Sequence, residues 1–245
     1  MIKNLVFDFG NVLIEWNPAK ILATFVEDEE DRKYVKAAIF DSGLWAQTDT
    51  GELTLEEAIQ AAQTLLDSSY SATVEAIFTH WYETVDVYHQ LQEKIFEWAQ
   101  LGYGIYILST TSEIFYAVEN ACLLPMTKVL TGKILSYEVG YAKPDKSIYQ
   151  KLLAQYALQA NQCVFIDDLQ VNLDVAKSLG FETILATSEI GQSWSIKRIS
   201  LLSPSLIFSK MPPEGIFLMS CVMLLFNASI GNCEFIFFLN SATLL

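Results

Sequence analysis

The sequence predicts an α/β fold built on a doubly wound parallel sheet, with a helical segment inserted after the first strand. One observation behind this prediction is that two short apolar runs each end in acidic residues. Residues 5–7 lead into Asp8, and residues 163–166 lead into Asp167 and Asp168. Because open α/β sheets bind ligands at the carboxyl ends of their strands, we expect these acids to meet at one edge.

The first half of the chain indicates one strand followed by helices. Residues 3–8 are apolar and typical of a buried strand. Residues 18–85 lack the alternation of apolar and polar residues that is typical of strands. Their apolar residues recur at three- and four-residue spacing, which indicates helices. Thr54 with Glu57 three residues later predicts a capping box at the start of one of them.

Strands and helices alternate from residue 87 onward. The predicted elements are a helix at 87–100, a strand at 104–108, a helix at 113–121, a strand near 127–131, a helix at 146–156 capped by Asp145, a strand at 163–167, a helix at 171–179 and a strand at 182–186. Such alternation predicts βαβ units and a parallel sheet. We therefore divide the chain into an α/β core (1–14 and 87–190), a helical cap (15–86) and an apolar tail (191–245).

Charge and cysteine usage restrict the classes of partner and the compartment. The formal net charge is −14 at pH 7, whereas general affinity for nucleic acid or anionic membranes needs basic patches. A phosphate ligand is still compatible, because a site can be locally positive or hold a metal. The amino terminus lacks a signal-peptide layout, and the four cysteines show no Cys-x-x-Cys spacing. A reducing cytoplasm is therefore the expected location.

Four short segments stand at the ends of successive predicted elements. They are residues 8–13, 108–110, 140–145 and 166–168, with Asn172 beyond the last. In order and spacing they resemble the motifs of the haloacid dehalogenase-like (HAD) hydrolase superfamily. The resemblance is strongest to the helical-cap branch that includes α-glucose-1-phosphate phosphatase-like proteins. It covers about residues 1–187 and implies a Rossmann-like HAD core with an inserted α-helical cap.

The resemblance also implies roles for residues that would contact a phosphoryl group. Asp8 matches the family's nucleophile, which attacks phosphorus and forms an aspartyl-phosphate that water hydrolyses. Ser109, with Thr110 beside it, matches the hydroxyl that binds phosphoryl oxygens. Lys143 matches the lysine that neutralises phosphate charge and orients Asp8. The implied substrate is a small phosphorylated metabolite, with sugar phosphates among the candidates.

A divalent cation follows from the same resemblance. Attack by a carboxylate on a phosphate dianion is electrostatically opposed, so the negative charge has to be neutralised. Mg²⁺ would be held by Asp8, the backbone carbonyl of Gly10, and acid from Asp167 and Asp168. Which of these two acids binds the metal directly is left open, and Asn172 is expected to support the metal's surroundings.

Gly10 departs from the usual family pattern. Most phosphatases of the family carry a second aspartate two residues after the nucleophile, which protonates the leaving group and later activates water. Glycine cannot transfer a proton, although a Gly-Asn version of the motif occurs in the helical-cap branch. Glu15, Asn11 or a residue of the cap would have to take over this role, and the sequence does not choose among them.

Two other functions remain open at this point. A 2-haloacid dehalogenase would use the same aspartate without metal, but Asp167 and Asp168 favour phosphoryl chemistry. The other alternative is a non-catalytic binding protein that keeps the HAD fold. Gly10 favours it, because glycine cannot transfer a proton. Four aromatic residues are candidates for lining the pocket, although packing is the more common role for each: Trp16, Trp45, Trp81 and Tyr82. For His80 and His89 we expect surface or packing roles.

The apolar tail has two interpretations. Residues 215–233 are uncharged and of near-membrane-spanning length, but polar residues interrupt them. Membrane contact through this segment is therefore not the favoured prediction. The alternative is non-native coding sequence joined to the domain. The sequence leaves the oligomeric state open.

Overall fold

Five parallel strands form the centre of residues 1–186, the part of the chain that the computed structural model describes. The strands are β1 (Asn4–Phe7), β2 (Gly104–Ser109), β3 (Gly132–Leu135), β4 (Cys163–Asp167) and β5 (Glu182–Leu185). They lie in the order β3-β2-β1-β4-β5, and each neighbouring pair is parallel. The predicted α/β class with a parallel sheet is confirmed.

The sheet is buried on both faces. On β1, Leu5 and Phe7 belong to one apolar cluster, while Val6 between them belongs to a second cluster. Successive side chains of a strand point to opposite faces, so one strand contributes to both clusters. This explains why the strands are continuous apolar runs rather than alternating ones.

The helices fall into two groups along the chain. Between β1 and β2 lie α1 (Pro18–Phe25), α2 (Glu29–Lys36), α3 (Leu44–Thr50), α4 (Leu55–Thr64), α5 (Ser71–His80) and α6 (His89–Gln100). A π-helical turn (Ala37–Asp41) extends α2. After β2 come α7 (Ile114–Asn120), α8 (Ser136–Val139), α9 (Lys146–Gln155) and α10 (Gln170–Ser178). Helices α1–α5 occupy the segment that the sequence assigns to a cap.

Two predicted helix starts are confirmed in detail. The Thr54 hydroxyl accepts from the Glu57 backbone N–H at 3.2 Å, and the Glu57 carboxylate accepts from the Thr54 N–H at 2.9 Å. Asp145 caps α9 by accepting from the Ser147 N–H at 2.7 Å. Each cap satisfies backbone N–H groups that have no partner inside the first turn of a helix.

The strand predicted near 127–131 is wrong. Pro125 begins a 3₁₀ turn that runs to Val129, and β3 forms later, at Gly132–Leu135. The Leu130 N–H is used inside this turn, donating to the Thr127 carbonyl at 3.2 Å. The apolar residues of this segment therefore belong to a turn. In so short a run, the spacing of apolar residues does not distinguish a turn from a strand.

The predicted boundaries between core, cap and tail stay predictions. The tail predicted at 191–245, including the apolar stretch 215–233, lies outside the described residues. Within residues 1–186, none of the helices has the length and apolar character needed to cross a membrane. The cytoplasmic location likewise stays a prediction.

Candidate active site

The ends of β1 and β4 bring two acidic residues side by side. These strands are adjacent and parallel, with Phe7 paired to Ile166. The Asp8 backbone N–H continues the ladder by donating to the Ile166 carbonyl at 2.9 Å. Asp8 and Asp167 are therefore neighbours at the carboxyl edge of the sheet, as the sequence predicts.

Lys143 connects the two acids. Its Nζ atom lies 2.7 Å from Oδ1 of Asp8 and 2.7 Å from Oδ2 of Asp167. The lysine side chain is 2% exposed, so this contact is shielded from solvent. Its backbone N–H donates to the Thr110 hydroxyl at 3.0 Å, which ties the lysine's loop to the end of β2.

Burial and the neighbouring charges of opposite sign shift the pKa values of Asp8 and Lys143 in opposite directions. Burial raises the pKa of Asp8 to about 7, opposed by the Lys143 ammonium and reinforced by the charge of Asp167. Burial also disfavours the charge on Lys143, but the two carboxylates outweigh it and raise the pKa of the lysine. Lys143 is therefore held as a cation between two acids.

Asp167 and Asp168 have different surroundings although they are adjacent. Asp167 is fully buried, and both of its oxygens accept protein hydrogen bonds: Oδ1 from the Leu169 N–H at 2.8 Å, and Oδ2 from Lys143. The Asn172 amide also donates to Oδ1, at 2.9 Å. Asp168 instead lines a cavity above the sheet edge. The carboxylate oxygens of Asp8, Asp167 and Asp168 approach within 4.8 Å of one another.

Asn11 fixes the loop that carries Gly10. Its amide donates to Oδ2 of Asp168 at 3.0 Å, and its side-chain oxygen accepts from the Trp16 N–H at 2.8 Å. Asn11 adopts a left-handed φ of 54°, which asparagine tolerates better than most residues. Gly10 lies between Asp8 and Asn11 and lines the cavity. An amide cannot donate a proton as an acid, so Asn11 positions the loop rather than replacing the missing aspartate.

The two predicted hydroxyl residues are placed differently. Thr110 lines the cavity. Ser109, by contrast, is not among the cavity-lining residues; it is fully buried, and its Oγ has no hydrogen-bond partner among the described residues. Buried hydroxyls without a partner are rare in proteins. Ser109 therefore retains a donor that no described protein group uses.

The cavity has a volume of about 340 Å³, which suits a small ligand. Its upper wall is aromatic: Trp16, Trp45 and Trp81 line it and pack against one another. The ring centroids of Trp16 lie 4.9 Å from those of both other tryptophans. These residues therefore pack together and also line the pocket. The fourth candidate, Tyr82, is not part of this wall.

The sequence prediction missed one acidic residue of the cavity wall. Asp49 lies near the end of α3 and lines the same cavity as Asp8 and Lys143. It belongs to no recognisable motif, and α3 is too short for a clear apolar pattern. Its position two residues before Gly51, which ends the helix in a left-handed conformation, is the one local signal present.

Comparison with known proteins identifies the family. The family model of haloacid dehalogenase-like hydrolases matches residues 2–180. The chain belongs to the haloacid dehalogenase-like hydrolases. It is therefore a member of a hydrolase family, as the four motifs predict.

Individual HAD relatives are distant. The chain is 25% identical over 210 residues to D-ribitol-5-phosphate phosphatase from Bacteroides thetaiotaomicron, covering 79% of this chain and 95% of that protein. It is 24% identical over 201 residues to enolase-phosphatase E1 from Aquifex aeolicus, covering 77% and 83%. A HAD family enzyme from Bacteroides thetaiotaomicron, solved as a magnesium complex, superposes with a TM-score of 0.65 at 22% identity, covering 77% and 94%. At this identity the structural likeness shows the shared HAD fold alone.

Proposed function

We propose that this HAD hydrolase is a Mg²⁺-dependent phosphatase that acts on a small phosphorylated metabolite through an aspartyl-phosphate on Asp8. The observation that carries this proposal is the buried contact of Lys143 with both Asp8 and Asp167 beside a third carboxylate, Asp168. Two relatives named as phosphatases, the D-ribitol-5-phosphate phosphatase and enolase-phosphatase E1, support the same reaction class.

The charges of the site fit a divalent cation. With Asp8, Asp167 and Asp168 ionised, as a bound cation favours, three carboxylates and the ammonium of Lys143 leave two negative charges. One Mg²⁺ would balance them, and carboxylate and carbonyl oxygens are the ligands this ion prefers. Asp167 already accepts hydrogen bonds on both oxygens. We therefore assign direct coordination to Asp8, Asp168 and the Gly10 carbonyl, and to Asp167 the task of holding Lys143.

The proposed reaction has two displacements at phosphorus. In the first, an Asp8 oxygen bonds to phosphorus while the bond to the leaving-group oxygen breaks. In the second, water attacks the same phosphorus, releases inorganic phosphate and restores the Asp8 carboxylate. Lys143, Ser109 and Thr110 would stabilise the negative charge on the phosphoryl oxygens throughout. A bound Mg²⁺ would add positive charge at the same oxygens.

The cavity favours a small substrate whose leaving group contacts the aromatic wall. Its volume, about 340 Å³, is at the lower end of typical ligand sites. Aromatic side chains pack well against the apolar faces of sugars and polyols. A phosphorylated sugar or polyol therefore remains the leading substrate class, consistent with the relative named for D-ribitol 5-phosphate.

The decisive experiment measures phosphate release from p-nitrophenyl phosphate and from a panel of sugar and polyol phosphates. We expect Mg²⁺-dependent turnover that chelation with EDTA removes and that Asp8→Asn abolishes. The matched control is Asp86→Asn, an exposed acid outside the cavity, which should retain full activity. Phosphate release that survives in Asp8→Asn would contradict the assigned nucleophile.

The same assay separates the alternatives. A 2-haloacid dehalogenase would release halide from a 2-haloacid without added metal and would not act on phosphates. A binding protein would show neither activity. The three buried or half-buried carboxylates around Lys143 favour phosphoryl chemistry, because displacement of halide has no use for a cation site.

A further inference from the structure

We propose that Asp49 of the cap region carries out the proton transfers that Gly10 cannot, as general acid towards the leaving group and then as general base towards water. This inference rests on the proposed phosphatase function and extends it to a residue outside the four motifs. It is carried by the position of Asp49 in the wall of the cavity that also contains Asp8.

Asp49 enters the cavity from the cap region, whereas the other acids enter from the sheet edge. Asp8 and Asp168 follow β1 and β4, while Asp49 lies on α3 in the inserted helices. The leaving group departs on the side of phosphorus opposite the attacking Asp8 oxygen. An acid supplied from above the sheet edge is therefore on the side that a departing alkoxide would occupy.

The other ionisable side chains of the cavity wall already have partners within the proposed phosphoryl and metal site. Within residues 1–186, those lining the cavity are Asp8, Asp49, Lys143 and Asp168. Asp8 is paired with Lys143, and Asp168 accepts from Asn11 beside Gly10. Asp49 is thus the cavity carboxyl that is neither bound to a lysine nor part of the proposed metal site.

The replacements considered from the sequence do not fit. Glu15 lies outside the cavity wall and is paired with Lys20 at 2.6 Å. Asn11 carries an amide. The chain's two histidines, His80 and His89, are likewise absent from the cavity wall.

Contacts with the core hold Asp49 in place. The Ser136 hydroxyl, at the start of α8, bonds to the backbone carbonyl of Asp49. The same hydroxyl accepts from the Thr111 N–H at 2.9 Å, next to the end of β2. Two residues on, Gly51 packs so closely against the Tyr137 backbone that a Cβ would overlap the Tyr137 carbonyl. Asp49 is therefore anchored to the same core loops that form the site.

The surroundings of Asp49 also suit an acid that exchanges protons near neutral pH. Burial raises the pKa of its carboxyl to about 7, opposed by the Ser112 backbone N–H and reinforced by the charge of Asp8. General acid–base catalysis is most effective when the pKa of the group lies near the working pH.

The proton balance is complete in both displacements. As the bond from phosphorus to the leaving oxygen breaks, the Asp49 carboxyl gives that oxygen its proton and becomes a carboxylate. In the second displacement this carboxylate takes a proton from the attacking water. The water oxygen bonds to phosphorus, the bond to Asp8 breaks, and inorganic phosphate leaves. Asp49 ends protonated, ready for another turnover.

The test compares leaving groups, because protonation matters most for poor ones. Asp49→Asn and Asp49→Ala are assayed with glycerol 3-phosphate, whose alkoxide leaves poorly, and with p-nitrophenyl phosphate, whose phenolate leaves well. We expect kcat/KM for glycerol 3-phosphate, which reports the steps up to departure of the leaving group, to fall by about 10²–10⁴-fold in both variants. The value of kcat/KM for p-nitrophenyl phosphate should fall by less than about tenfold, which also shows that the variants fold. The kcat values for both substrates should fall, because hydrolysis of the aspartyl-phosphate is common to both and loses its general base. Glu52→Gln, an exposed acid three residues away, is the matched control and should match the wild type on both substrates.

Equal losses of kcat/KM on both substrates, or a raised KM with unchanged kcat, would overturn the role of Asp49 as a proton donor. Either result would mean that it binds substrate or supports structure. If the wild-type protein released phosphate from neither these substrates nor the sugar and polyol phosphates, the proposed function itself would fail. If the wild type is active and both Asp49 variants hydrolyse glycerol 3-phosphate normally, only the inference about Asp49 fails.

Discussion

The Nζ atom of Lys143 lies 2.7 Å from Oδ1 of Asp8, and both side chains are almost completely removed from solvent. The same ammonium also contacts Asp167, which is fully buried. One cation thus compensates two buried carboxylates. Removing it would leave both acids without a counter-charge in a medium of low polarity, where isolated charges are costly.

We therefore predict that Lys143→Met lowers both stability and activity. Breaking a buried ion pair by removing one partner costs about 3–5 kcal/mol of unfolding free energy. Loss of a donor to the phosphoryl oxygens should reduce kcat by a further factor of about 10²–10³. Urea unfolding and phosphate release measure the two effects separately.

The matched control is Lys20→Met. Lys20 also contacts two carboxylates, Glu15 at 2.6 Å and Asp86 at 3.0 Å, but its side chain is 38% exposed. Exposed ion pairs contribute little to stability, so this variant should unfold close to the wild type. Similar unfolding curves for the two variants would contradict the importance of burial at Lys143.

Ser109→Ala should separate activity from stability. The Ser109 hydroxyl is buried and has no hydrogen-bond partner among the described residues, so the substitution removes no bond seen within residues 1–186. We expect kcat to fall by about 10²–10³-fold, with the unfolding free energy unchanged or higher, because a buried hydroxyl without a partner contributes no stabilising bond. A variant with normal kcat would instead assign the phosphoryl contact to Thr110, which lines the cavity.

The two glycines that flank α3 offer a test of how closely α3 packs against α8. Gly43 and Gly51 both adopt left-handed backbone angles, φ 86° and 74°. An alanine at either position carries a backbone cost of about 1–2 kcal/mol. At Gly51 the added Cβ would also overlap the Tyr137 carbonyl, whereas at Gly43 it meets open space.

Gly51→Ala should therefore destabilise the protein by about 1–3 kcal/mol more than Gly43→Ala. Because Asp49 lies two residues from Gly51, the displaced helix should also lower turnover of glycerol 3-phosphate. Urea unfolding and steady-state kinetics of the two variants, measured together, test the prediction. Equal unfolding free energies would contradict the close approach of Gly51 to the Tyr137 carbonyl of α8.

The two cysteines within residues 1–186 should differ in reactivity. Cys163 is fully buried on β4, and burial raises the pKa of its thiol to about 11, whereas Cys122 is exposed. At about pH 8, near the pKa of an ordinary thiol, iodoacetamide should modify Cys122 and spare Cys163. Peptide mapping by mass spectrometry distinguishes them, and labelling in concentrated urea should modify both. Rapid labelling of Cys163 in the folded protein would contradict its burial.

Sequence reasoning was accurate where the signal is local or repeated. The run ending in Asp8 and the run ending in Asp167 are strands, and Thr54 and Asp145 cap helices as predicted. Burial on both faces demands continuous apolar strands, and a free N–H at a helix start demands a capping oxygen. Such requirements are visible in a few adjacent residues. The misplaced strand near 127–131 shows the limit, because a short apolar run fits a turn equally well.

The sequence by itself determined the α/β class, the HAD family and the acids that meet at the sheet edge. These follow from the alternation of strands and helices along the chain and from motifs a few residues long. Only the tertiary structure separated the surroundings of Asp167 and Asp168, and only it placed Asp49 in the cavity wall. Asp49 is 41 positions from Asp8 along the chain, and its distance from the site depends on how α3 packs against α8. Contacts of that kind depend on side-chain shape across the whole interface, which no local pattern of residues encodes.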